Sequence, residues 1–64
     1  MISIIMPVFN AVRTLERAVR SIQAQTCLNW ELLLIDDGST DGSDTLCDRL
    51  AREDGRIRTL HQLN

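Results

Sequence analysis

Two adjacent carboxylates, Asp36 and Asp37, close an apolar run and open the polar string Asp36-Asp37-Gly38-Ser39-Thr40-Asp41-Gly42-Ser43. Glycines at two positions permit tight backbone turns there. An ionised carboxylate accepts hydrogen bonds from N–H groups such as a pyrimidine imide, and it also binds hard cations. Neighbouring residues on a strand point to opposite faces, so only one of the pair readily meets a given ligand. The same residue types form turns and cap helices in sequences of every kind, and spacing alone leaves both readings open. A second candidate is Pro7-Val8-Phe9-Asn10. Proline fixes the exit from a strand. The aromatic ring that follows either stacks on a planar base, as aromatics do on nucleobases, or plugs the underside of its own loop.

Both segments need a scaffold that brings them together, and the apolar pattern supplies one. Ile2-Ser3-Ile4-Ile5-Met6 is a β-branched, nearly all-apolar run that Pro7 is expected to stop, which suits a strand buried on both faces. Val12, Leu15, Val19 and Ile22 recur at intervals of three and four, the stripe of an amphipathic helix with Asn10 as its natural cap. Trp30 to Ile35 is a second continuous apolar run of strand length. Leu46, Cys47 and Leu50 form the inner face of a second helix, capped by Thr40, Asp41 or Ser43 and ended at Gly55, where a left-handed residue belongs. Arg56 to His61 reads as a third strand, weakened by two arginines. The order β-α-β-α-β predicts a Rossmann-like α/β fold, a parallel three-stranded sheet ordered 3-2-1 with both helices on one face. The first two strands are apolar at both alternating sets of positions, so the other sheet face is expected to stand bare. That face and the outer edge of the first strand are surfaces for self-association.

Bulk properties narrow the function. A 64-residue chain makes at most one domain, a size at which folding buries only about 60% of the unfolded surface. A complete enzyme is not expected at this length. With 44% hydrophobic and 25% charged residues, the chain matches globular rather than disordered composition. Net charge is -2, the seven basic residues are all arginine and scattered, and the aromatics are Phe9 and Trp30 alone. Nucleic acid is therefore not an expected partner. Cys27 and Cys47 stand apart with one histidine, His61, so neither a zinc site nor a redox pair is indicated; reduced, packed thiols fit a cytoplasmic protein. The run Ile2 to Phe9 falls far short of the roughly 20 residues of a membrane helix.

Taken in order, Ile2-Ser3-Ile4-Ile5-Met6-Pro7-Val8-Phe9-Asn10, then Gln25-Thr26, Asn29-Trp30-Glu31 and Ile35-Asp36-Asp37-Gly38-Ser39-Thr40-Asp41-Gly42-Ser43, the chain resembles the opening of family 2 inverting glycosyltransferases with the GT-A fold. Several motif blocks in the right order make this a strong signal. The resemblance implies a nucleotide-diphosphate-sugar donor, mildly of the UDP type, and a divalent metal, Mg or Mn, on its diphosphate. It implies that residues 1–64 are the nucleotide-binding part of a longer domain. Pro7, Val8 and Phe9 would line the base and ribose pocket, Asp37 would accept from the base imide, and Asp36 with Gly38 would shape the loop or reach the ribose. The family's acidic metal motif and its catalytic base would lie beyond Asn64, so neither a catalytic residue nor a metal ligand is expected in this chain, and on its own it should be inactive. Phe9 stands where that family usually has tyrosine, and Cys27 where an aromatic is frequent. Two alternatives are a non-catalytic nucleotide-binding fragment and a receiver-like phosphoacceptor module. The latter needs a lysine, and the chain has none.

Overall fold

The computed structural model describes residues 1–25 and 29–63. The chain runs β1 (Ile2–Val8), α1 (Val12–Gln23), β2 (Trp30–Asp37), α2 (Ser43–Glu53) and β3 (Ile57–Gln62). All pairing is parallel and β2 lies between its neighbours, in the order β1-β2-β3. This is the expected 3-2-1 order counted from the other edge. The reading over Thr26 to Leu28, including Cys27, lies outside the described residues.

Alternation along the strands sorts the side chains into two layers. Trp30, Leu32 and Leu34 of β2, with Val8 and Ile57 beside them, pack against Leu15, Val19 and Ile22 of α1 and Cys47 and Leu50 of α2. These make one apolar core between the sheet and its helices. The intervening residues, among them Ser3, Ile5, Leu33, Arg58 and Leu60, face the other way; Ile5 is 65% exposed and Leu60 48%. The face expected to be bare is bare, tempered by Ser3 Oγ donating to Glu31 Oε1 at 2.6 Å.

Three local expectations are corrected. Pro7 does not stop β1: the strand continues to Val8, with Pro7 level with Ile35. The Ile2 N–H donates to Asn29 across the gap to β2, and in a parallel ladder alternate residues turn their N–H groups to opposite sides. Pro7, an odd step from Ile2, therefore has its missing donor on the outer edge of the sheet, where no ladder bond is lost. Asn10 does not cap α1; Ala11 holds that position and makes no side-chain cap bond. Asn10 instead adopts a left-handed backbone, φ 48°, a conformation that asparagine tolerates better than most residues. Gly55 does not end α2 in a left-handed turn. Asp54 takes the cap with an extended backbone, and the left-handed glycines are Gly38 and Gly42.

Candidate functional site at the carboxyl edge of the sheet

The loops after β1 and β2 leave the sheet side by side, because Val8 is level with Asp36. They are laced together by hydrogen bonds from one to the other. Asn10 N–H donates to Ser39 Oγ at 3.0 Å, and Thr40 N–H donates to Asn10 Oδ1 at 2.8 Å. Ala11 N–H donates to Ser43 Oγ at 2.9 Å, and Val12 N–H to Asp41 Oδ2 at 3.1 Å. The other oxygen of Asp41 accepts from Ser43 N–H at 3.0 Å and Ser43 Oγ at 2.6 Å. One carboxylate thus serves the N-termini of both helices, where free N–H groups and the positive dipole end favour an anion. The Ser43 bond chiefly holds the Asp41 carboxyl below its ordinary pKa. Asp41 is among the residues expected to cap α2, although Gly42 holds the cap position itself; its reach across to Val12 of α1 has no local signal in the sequence.

The carboxylate pair divides as alternation requires. Asp36 faces the helices and is 2% exposed. Its Oδ1 accepts from Ser39 N–H at 3.1 Å, and its Oδ2 lies 2.9 Å from His61 Nδ1. Burial pushes the Asp36 carboxyl up, but the bonds from Ser39 and His61 outweigh burial and leave it below the ordinary value. Asp37 lies on the opposite face, half-buried at the mouth of the bare side, and no described residue bonds to its carboxylate. Gly38, with φ 76°, makes the turn that separates the two roles.

The remaining candidates fall in different places. Pro7 is exposed on the same face as Ile35, and the Phe9 ring is 51% exposed beyond the strand end, so it does not plug its loop. The Val8 side chain is 1% exposed and belongs to the core, so it anchors the start of the loop. His61 and Asp48 were not singled out in the sequence. His61 sits four residues after the buried Ile57, on the inward set of β3, and that periodicity was the signal available. Its Nε2 lies 2.7 Å from Asp48 Oδ1 on α2. Cys47 is buried and reduced, its thiol pushed up to about 11 mainly by burial. Among the described residues no group of three or more acidic, histidine or cysteine side chains is placed to hold a metal ion, and no helix is long and apolar enough to cross a membrane.

Parallel strands alternating with helices, with Phe9 and Asp37 at the carboxyl edge, make this a Rossmann-like α/β unit, the class that takes ligands at that edge. Comparison with known proteins sets it within that class. The model of glycosyl transferase family 2 matches residues 3–64, and the chain belongs to that family. It is 44% identical over its whole length to the glycosyltransferase GlyG of Streptococcus pneumoniae, of which it covers 21%. It is 36% identical, again over its whole length, to the uncharacterized glycosyltransferase EpsJ of Bacillus subtilis, covering 19% of that protein. A UDP-Glc:alpha-D-GlcNAc-diphosphoundecaprenol beta-1,3-glucosyltransferase, WfgD of Escherichia coli, is 43% identical over 60 residues, 94% of this chain and 23% of that protein. The chain spans about a fifth of the length of these relatives.

Proposed function

We propose that this chain forms the nucleotide half of the donor site of a glycosyltransferase that takes a sugar from a nucleotide diphosphate to an acceptor hydroxyl with inversion. The observation that carries the reading is the pairing of Phe9 and Asp37. Each follows one of the level pair Val8 and Asp36, Phe9 just past the end of β1 and Asp37 as the last residue of β2. Among the described residues each keeps its functional group uncommitted at the carboxyl edge, while Asn10, Asp36, Ser39, Asp41 and Ser43 are all engaged in holding the loops. Phe9 offers a stacking face for a base. Asp37 offers an acceptor for its imide N–H. Pro7 and Val8 fix where Phe9 leaves the sheet, and Gly38 lets the chain turn beneath the ribose. The donor named for WfgD supports a uridine nucleotide.

In the whole enzyme, the acceptor oxygen bonds to the anomeric carbon as the bond from that carbon to the diphosphate breaks. A carboxylate base outside the described residues takes the hydroxyl proton. The divalent ion implied by the resemblance finds no donor set among the described residues. The 64-residue chain alone binds nucleotide without transferring sugar.

Amide-resolved NMR of the chain titrated with UDP tests this directly. Shifts should cluster at Phe9, Asp37 and Gly38 and vanish in Asp37→Ala. A folded chain whose amides ignore UDP, or an Asp37→Ala variant that responds as the parent does, would refute the assignment.

A further inference from the structure

We infer that His61 is a positioning residue for the nucleotide loop, acting through Asp36 as a cationic clip between β2 and α2; this rests on the nucleotide reading above. Three elements converge on its ring. From β2 comes the Asp36 carboxylate, level with His61 in the strand register. From α2 comes Asp48, with Asp44 and the buried Cys47 also near this charge cluster, and on β3 itself the inward neighbour is Thr59. Both ring nitrogens meet carboxylate oxygens, Nδ1 at 2.9 Å from Asp36 and Nε2 at 2.7 Å from Asp48.

A neutral imidazole has one N–H and one lone pair, so it satisfies only one of these contacts and sets a lone pair against an anion at the other. An imidazolium donates to both. Geometry therefore specifies the cation, and the bonds to Asp48 and then Asp36 correspondingly raise the His61 pKa above its ordinary 6.5. Cys47, held neutral to about 11, adds no competing charge in the same interval.

The consequence reaches the site through one carboxylate. Asp36 is almost wholly buried, and its two oxygens divide their work: one takes His61, the other takes the Ser39 N–H that closes the turn carrying Asp37 and Gly38. A neutral His61 keeps one N–H for two carboxylates, so the buried Asp36 is left with at most an uncharged donor and turns toward water or other donors, which weakens its bond to Ser39. Deprotonation of His61 thus loosens the turn that aims Asp37.

The test follows His61 imidazole and Ser39 amide resonances across about pH 5 to 9, with His61→Gln and Asp48→Asn as variants and UDP as the probe. The Ser39 amide should inflect at the His61 midpoint, and Asp48→Asn should lower that midpoint. UDP affinity should fall about fivefold as His61 loses its proton and be flat with pH in His61→Gln. A Ser39 amide indifferent to the His61 titration would overturn the inference, as would a pH profile for UDP that persists in His61→Gln. If the amide coupling is present while UDP binds at no pH, His61 keeps its positioning role and the nucleotide reading fails instead.

Discussion

Replacing Asp54 with asparagine should destabilise the chain far more than a surface substitution does. Asp54 ends α2, and its carboxylate accepts from Arg56 N–H and Nε at 3.0 and 3.1 Å, from Arg56 Nη2 at 3.0 Å, and from Gln23 Nε2 of α1 at 3.0 Å. It joins both helices to the start of β3. These bonds, those from the Arg56 side chain foremost, lower its pKa from 3.8 to about 2, a linkage of about 2 kcal/mol. The Asp54 side chain is 14% exposed but that of Arg56 37%, so solvent screening brings the expected cost of the substitution to about 1–2 kcal/mol. A chain of this length has a total stability of only about 3–10 kcal/mol, and Tm should drop by about 4–8 °C for each kcal/mol lost. Urea unfolding followed by far-ultraviolet circular dichroism and by Trp30 emission reads this out; the indole is buried under the Arg56 guanidinium, 3.9 Å from its ring centroid. Because the folded pKa is depressed, the stabilisation is complete above the unfolded value near 3.8 and disappears as pH falls through about 2. A penalty under about 0.5 kcal/mol near neutral pH, the scale of an ordinary surface change, would refute the reasoning. So would a penalty that stays constant into that acid range.

Three further outcomes are expected. Gly42→Ala should lose about 1 kcal/mol through its backbone conformation, φ 97°, since an added Cβ meets nothing closer than Val12 Cγ2 at 4.0 Å; thermal melts of this variant beside Gly55→Ala, where φ is not positive, separate strain from lost space. Ile5→Asp should shift any concentration-dependent association of the chain toward monomer in sedimentation velocity, because Ile5 stands on the bare sheet face; unchanged association would place the contact elsewhere. Cys47 should resist thiol reagents at neutral pH until the chain unfolds, since it is buried and its pKa is about 11; labelling that outpaces unfolding would contradict its packing.

Long periodic patterns carried the fold into view. Leu15, Val19 and Ile22 of the helical stripe are buried, Val12 at its start being exposed, and Trp30, Leu32 and Leu34 of the second apolar run are buried; the length and period of each pattern separate helix from strand. That Asp36 and Asp37 face opposite ways was equally legible, because strand alternation dictates it; which of them faces the helices was not. Nor was the start of α1. Asn10 had the right chemistry for a cap, yet the N-terminus of α1 is served by Asp41 and Ser43 from 29 and 32 residues away. Local propensity has no access to a partner that arrives through the fold. His61 was passed over for a related reason: its significance depends on being level with Asp36, and register emerges only when the strands are paired.

The proline in β1 has one more consequence. Any strand that lines up along the outer edge of β1 finds outward N–H donors at Ser3 and Ile5, and then none at Pro7. Hydrogen-bonded growth of the sheet on that side is interrupted one residue short of Val8, before it reaches the carboxyl edge. The chain thereby carries a stop signal for hydrogen-bonded sheet extension two residues before Phe9, at the carboxyl end of β1.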